Sequence, residues 1–338
     1  MDKSIKLPTR YELLIMEETT NRIDLTAFSE KVAALKTKIA SIIVGQEQGV
    51  DLILTALLAN GHVLIEGVPG VAKTLLAKLT AKLIDADYSR IQFTPDLMPS
   101  DVLGTSVFNL KTSEFEFHKG PVFSEIVLID EINRAPAKTQ AALFEVMEER
   151  QITVDGVTRK MGELYLVVAT QNPVEQEGTY RLPEAQLDRF LMKISINYPL
   201  PEEEFTILKR HYENSNLTQL DKIKPILSGK EIRSFKELLN QVIVEDSLLR
   251  YIAEIILATR NSPAIYLGAS PRASVALLNA SKAYALLQGR DFIIPDDIKY
   301  IDVPVLQHRL ILSPETEMEG RSAGTIVKRL IEKIEVPK

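Results

Sequence analysis

The residues best suited to chemistry in this 338-residue chain begin at Gly61, in the stretch GHVLIEGVPGVAKTLL. Gly67, Val68, Pro69, Gly70, Val71 and Ala72 make a loop with little side-chain bulk. Such a loop lets successive backbone N–H groups point into one small concave space, which suits a triphosphate. Lys73 can reach the β- and γ-phosphates, Thr74 can set a hydroxyl on Mg²⁺, and Leu75 starts the apolar face of the helix that follows. A glycine usually stands just before the lysine, and here Ala72 takes its place. Alanine fits if it already lies in the first helical turn. An ordinary strand–turn–helix is the alternative, and the acidic motif downstream argues against it.

That motif is IVLIDE, Ile126 to Glu131. An apolar strand delivers Asp130 and Glu131 to the edge of a parallel sheet where ligands bind. Asp130 can order the shell of Mg²⁺, and Glu131 can take a proton from an attacking water. The next strand ends VVATQN, where Asn172 can orient water or the γ-phosphate without adding charge. Gln171 is its competitor. Arg189, in LDRF, can act as an arginine finger on a neighbouring chain's γ-phosphate. Spacing equally allows it a surface ion pair with Asp188 or Glu184. Arg272, in SPR, can reach the nucleotide from a second domain, or can be a solvated first-turn arginine. Val44 and Gly45 form a turn placed to hold an adenine ring, or simply end a helix.

The elements that must position these residues follow from periodicity. His62–Ile65, Ser89–Phe93, Glu125–Asp130, Leu164–Ala169 and Leu191–Ile196 read as strands. Phe28–Ile43, Val50–Ala59 and Lys138–Glu149 read as helices. Strands alternating with helices imply a parallel sheet covered on both faces. Residues 106–110 with 114–118, and 151–154 with 157–158, alternate apolar and polar residues around polar links, which predicts two β-hairpins. Beyond Tyr198-Pro199-Leu200-Pro201 no clear buried strand occurs. The segments 203–213, 231–241, 246–261, 271–288 and 322–335 read as amphipathic helices. The division is therefore 1–30, an N-terminal helical extension; 31–200, an α/β nucleotide-binding domain; and 201–338, a smaller helical domain.

Together these motifs resemble the MoxR family of AAA+ ATPases over roughly residues 30 to 335. The resemblance rests on GVPGVAKT (67–74), LIDEINRAPAKTQAALFEVMEE (128–149), VATQNP (168–173), LPEAQLDRF (182–190) and GASPRA (268–273). Arg181 stands where a proline is expected, a small departure. The resemblance implies a three-layer α/β P-loop NTPase domain with β-hairpin inserts, followed by an all-helical lid. It identifies 67–74 as the Walker A loop, Asp130 and Glu131 as Walker B, Asn172 as sensor 1, Arg189 as the finger and Arg272 as sensor 2. It further implies ATP and Mg²⁺ as cofactors, a hexameric ring with the hairpins lining its pore, chaperone-like action on a protein client, and a partner carrying a von Willebrand factor A domain.

Composition narrows the classes. The chain has no cysteine and a net charge of −6. Disulfides and thiolate metal sites are excluded, and a cytoplasmic setting fits. A general nucleic-acid binder is disfavoured. No apolar run approaches a membrane span, and the first residues lack the apolar core of a signal peptide. Gly320-Arg321-Ser322-Ala323-Gly324 matches a nucleophile elbow in letters, but no histidine follows it, so a helix start is expected. A chelatase-type or nucleic-acid motor on the same ring, and an ATP-gated switch with little turnover, are the other classes; Glu131 and Arg189 speak against the switch.

Overall fold

The computed structural model describes residues 22–68, 70–172, 180, 182–213 and 223–337. Among the described residues two helices come first, α1 (Thr26–Ala40) and α2 (Glu47–Leu58). Then β1 (Val63–Gly67), α3 (Lys73–Leu83) and β2 (Tyr88–Gln92) form a parallel crossover. A short helix, α4 (Pro99–Leu103), leads into the hairpin β3 (Gly104–Asn109) and β4 (Glu114–Lys119). Next come β5 (Ile126–Asp130), α5 (Ala137–Glu149), the second hairpin β6 (Gln151–Val154) and β7 (Val157–Lys160), and β8 (Leu166–Gln171). One turn of helix, α6 (Glu184–Leu187), precedes β9 (Met192–Ile196).

The central sheet has five strands in the order β2-β5-β8-β1-β9, all parallel. Every residue of β5 is buried, as expected of an interior strand covered on both faces. Alternate residues go to opposite layers. Val63, Ile65, Leu128 and Val168 join α1, α2 and α3 on one side. Leu64, Val127, Ile129 and Val167 meet Leu143, Phe144 and Met147 of α5 on the other. A buried side chain such as Phe144 contributes about 2 kcal/mol relative to exposure. The three-layer P-loop architecture with hairpin inserts is as expected.

After β9 the chain turns helical: α7 (Pro201–Glu213), α8 (Gly229–Leu238), α9 (Asp246–Asn261), β10 (Ile265–Leu267), α10 (Pro271–Leu287), α11 (Pro295–Leu306), β11 (Ile311–Leu312), α12 (Pro314–Met318) and α13 (Ala323–Ile331). β10 and β11 pair antiparallel, a ribbon too short to leave a period-2 pattern in the sequence. Ser228 and Glu231 cap α8 reciprocally, with Glu231 N–H donating to Ser228 Oγ at 3.2 Å and Ser228 N–H donating to Glu231 Oε2 at 2.8 Å. Ser322 caps α13, accepting from Thr325 N–H at 3.2 Å, so the nucleophile-elbow look-alike is a helix start. Ile255, Leu277, Ile301 and Val305 of these helices share one apolar cluster with the first sheet layer. We keep the division at residue 200 as a proposal; it marks a change of architecture, not a gap in the core. The expected helical extension lies largely outside the described residues. Phe28, where the first apolar helix is expected to start, is buried within α1 and packs edge-on against Phe235 at 4.6 Å.

Two buried histidines and one buried carboxylate set the pH response. His62 Nε2 meets Met147 O at 3.1 Å, while Nδ1 accepts from Val167 N–H at 3.0 Å. Only the neutral ring satisfies both, and burial pushes its pKa down from 6.5 to about 3. Burial also drives His308 well below its ordinary value. Asp302 goes the other way, with burial raising its carboxyl to about 7. A histidine with a depressed pKa contributes stability above its unfolded value and loses it as pH falls. An aspartate with a raised pKa does the reverse. By about pH 5 the unfolded chain holds nearly two protons on the histidines that the fold refuses. The fold keeps one on Asp302 that the unfolded chain has released. The net is one proton, so stability should drop by about 1.4 kcal/mol per unit of falling pH. Denaturant unfolding at pH 6.5 and 4.5 measures this; His62→Gln should flatten the slope, and a flat wild-type profile would contradict the assignment.

Candidate nucleotide site

The phosphate loop leaves the C-terminal end of β1, which lies between β8 and β9. Gly67 is held so close to β9 that a Cβ would stand 2.6 Å from Ile196 O. Gly70 takes φ +86°, open to any side. Ala72 corrects the sequence reading. It does not lie in the first helical turn but caps α3 at φ 61°, ψ 21°, in the left-handed region. That conformation disfavours an L-residue by about 1–2 kcal/mol. Lys73 opens α3, and its Nζ donates to Gly67 O. The first turn of α3 carries no acidic residue, so the helix N-terminus presents its positive end to the loop uncompensated. Pro69 lies outside the described residues.

Asp130 ends β5 with its side chain only 9 % exposed. It accepts from Thr74 Oγ1 at 3.3 Å, Arg90 Nε at 2.6 Å and Thr170 Oγ1 at 3.2 Å. Asp130 in turn holds the Arg90 guanidinium above its usual pKa. Thr170 also accepts from Glu131 N–H at 3.1 Å. Glu131 sits at φ 57°, ψ 53°, a second left-handed residue that turns the backbone sharply off the strand path. Its carboxylate accepts from Gln92 Nε2 at 2.9 Å and pairs with Arg134 Nε at 3.1 Å. Asn172, just past β8, is buried. Strand register therefore gathers Thr74, Asp130, Glu131 and Asn172 at one edge. Arg90, Gln92 and Thr170 were missed by sequence reasoning. Arg90 and Gln92 are outward residues of an edge strand, and Thr170 is one position from the amides that drew attention.

The α1–α2 turn lies beside this edge. Gly49 comes within 3.4 Å of Leu76 on α3, measured from an added Cβ. Gly45 takes φ +73°, and an added Cβ would meet the Glu203 carboxylate at 2.6 Å. Val44 and Gly45 thus lie against the start of α7. The oxygen donors of Thr74 and Asp130 fit Mg²⁺, which takes one or two protein oxygens and completes its shell with phosphate and water. Among the described residues no group of three His, Cys, Asp or Glu forms a metal cluster.

Arg189 and Arg272 are elsewhere. Arg189 Nη2 meets Glu148 Oε2 at 3.0 Å, and Arg272 Nη2 meets Glu148 Oε1 at 2.9 Å. Glu148 lies in the last turn of α5, and that turn touches the start of β1 through His62 and Met147. This is the N-terminal edge of the sheet, a strand length or about 16 Å from the phosphate loop. The sequence allows Arg272 to reach a nucleotide from the lid; in this chain α10 carries it to Glu148, which it shares with Arg189. Among the described residues no helix is long and apolar enough to cross a membrane.

The left-handed Ala72 yields a direct test. Ala72→Gly should bind a fluorescent ATP analogue within about threefold of wild type. Ala72→Val should weaken binding by about tenfold or more, because a β-branched residue tolerates positive φ worst. Equal binding by all three chains would contradict the loop geometry.

Comparison with known proteins agrees with this geometry. Residues 62–192 match the family described as "ATPase family associated with various cellular activities (AAA)", and residues 257–330 match the AAA lid domain. The Bacillus subtilis protein YeaC, itself uncharacterized, is 48 % identical over 88 % of this chain and 92 % of its own length. Chaperone MoxR1 of Mycobacterium tuberculosis is 42 % identical over 89 % of this chain and 81 % of its own. A crystal structure from Cytophaga hutchinsonii, provisionally assigned as an ATPase, superposes with a TM-score of 0.85 at 40 % identity, covering 97 % of this chain and 99 % of that one. Matched in its nucleotide-binding core and its lid, and in near full length to a MoxR protein, the chain belongs to the MoxR family of AAA+ ATPases.

Proposed function

We propose that the chain hydrolyses ATP with Mg²⁺ and works as a ring, expected to be a hexamer, in which each nucleotide is completed by the next chain. One observation carries this reading. Lys73, Thr74, Asp130 and Glu131 meet at one edge of the sheet, while Arg189 and Arg272 share Glu148 at the other. A single chain cannot apply both sets to one phosphate, but two chains stacked edge to edge can.

In this reading the loop N–H groups and Lys73 bind the β- and γ-phosphates. Thr74 and Asp130 would hold Mg²⁺, which when bound neutralises charge across the phosphate oxygens. Glu131 takes the proton from the attacking water, and Gln92 and Arg134 keep its carboxylate in place. Asn172 orients that water. Arg189, with Arg272 beside it, leaves Glu148 for the neighbour's γ-phosphate, exchanging one anionic partner for another.

The output is mechanical work on proteins. The β3–β4 hairpin exposes Phe108, Leu110 and Phe115. It is braced against the β6–β7 hairpin by Ser106 donating to Asp155 and by Arg159 lying 3.8 Å over the Phe117 ring. Apolar tips on a braced support suit contact with a protein client. The chaperone name of the mycobacterial relative supports remodelling or maturation of protein complexes, with a von Willebrand factor A domain protein as the expected partner. Neither a membrane nor a nucleic acid is part of the proposal.

Glu131→Gln tests the hydrolytic step. It should bind ATP within about threefold of wild type and lose turnover by about a hundredfold or more, in line with a lost general base. Turnover near wild type would reject Glu131 as the base, and no turnover by wild type would leave a nucleotide-gated switch.

A further inference from the structure

We propose that Arg309 is the positioning residue for the arginine finger: it clamps the segment Asp188–Leu191 that presents Arg189, and so ties the lid of one chain to the finger offered to the next. The inference rests on the reading of Arg189 as a finger that acts on a second copy.

Arg309 follows α11, with its side chain 4 % exposed. Its guanidinium has five N–H groups, and each finds an acceptor. Nε donates to Asp188 Oδ1 at 2.7 Å. Nη2 donates to Phe190 O at 2.7 Å and Asp188 O at 3.3 Å. Nη1 donates to Leu191 O at 3.0 Å and to Val305 O. All but the last lie on the turn between α6 and β9, on both sides of Arg189. His308 Nε2 meets Phe190 O at 3.0 Å, and Gln307 Nε2 donates to Lys193 O at 2.6 Å. Three consecutive lid residues thus grip the strand end that follows the finger.

A surface arginine that merely filled space would not spend every donor on one irregular turn. The carbonyls of Asp188, Phe190 and Leu191 stand where α6 has ended and the ladder of β9 has barely begun. Lysine cannot replace the clamp, because an ammonium lacks the planar fork that reaches carbonyls on both sides. The lid holds the finger at a second point through Arg272, which shares Glu148 with Arg189. A lid displacement driven by nucleotide in one chain therefore displaces Arg189 with it, and the neighbour's site feels the change.

A double-mutant cycle on ATP turnover tests the clamp. Arg309→Lys should lower kcat by about tenfold to a hundredfold, the loss expected of a catalytic group set about 1 Å off. Its affinity for a fluorescent ATP analogue should stay within about threefold, since its own phosphate loop is untouched. In an Arg189→Ala background the same change should cost nothing further, because Arg309 acts through Arg189. A multiplied loss in the double variant, or weakened nucleotide binding in the single one, overturns the proposal. Should Arg309→Lys fail to fold, Asp188→Asn enters the same cycle, with a few-fold kcat loss that vanishes in the Arg189→Ala background; unchanged kcat overturns it. If Arg189→Ala alone turns over ATP like wild type, the finger reading falls, a result distinct from failure of the clamp.

Discussion

A carboxylate that is nearly buried must be partnered, and Asp130 is the charge around which this site is assembled. Leaving one buried partner unsatisfied costs about 1–3 kcal/mol, more for a charge. Asp130 recruits Thr74 from the phosphate-loop helix, Arg90 from the edge strand and Thr170 from the next strand. Three elements that are distant in sequence are thereby locked to the end of β5. Thr170 then reaches the backbone of Glu131, so the same network that fixes Asp130, the proposed metal ligand, also fixes Glu131, the proposed base. The left-handed backbone at Ala72 and Glu131 shows where local preference gives way to this arrangement, as strain tends to collect at working sites.

The parallel sheet then imposes a geometry. All strands run the same way, so everything placed at strand ends faces one edge and everything that precedes a strand faces the other. The phosphate loop follows β1, Asp130 ends β5 and Asn172 follows β8, whereas Arg189 precedes β9. Under the proposed function, a site on one edge and a completing arginine on the opposite edge call for a head-to-tail interface, the kind that generates a closed ring when the rotation closes. The lid belongs to the second edge. Arg272 and Arg309 both attach to the finger's surroundings, and the lid's apolar residues run into the core beneath the sheet. The lid and the Arg189 segment are therefore joined by direct hydrogen bonds, and in the proposed ring they would face the phosphate loop of the adjacent chain.

Much of this was legible because strand-end chemistry leaves short local signals. GVPGVAKT, IVLIDE and VATQN each combine an apolar run with the residue that terminates it, so the placing of Lys73, Asp130 and Asn172 followed from order alone. Both hairpins were visible by alternation, and α5 and α9 to α10 by helical spacing. What escaped notice depends on contacts between distant segments. Arg90 looked like any outward residue on an edge strand. Arg309 carries no local signal, because its acceptors on Asp188, Phe190 and Leu191 lie about 120 residues away. Arg272 could be placed at the start of a helix in the second domain, but the side of the sheet to which α10 brings it is a property of packing. Ala72 could be judged only once its φ was known, since alanine is tolerant in a helix and strained where it stands.

The central claim is that the working site is shared between two chains. ATP turnover per chain measured against protein concentration, for wild type and for Arg189→Ala, tests it most directly. The account predicts that wild-type specific activity rises with concentration as neighbours assemble, while Arg189→Ala stays low and flat yet still binds ATP. Wild-type activity independent of concentration, matched by an equally active Arg189→Ala, would contradict it and make Arg189 a structural partner of Glu148.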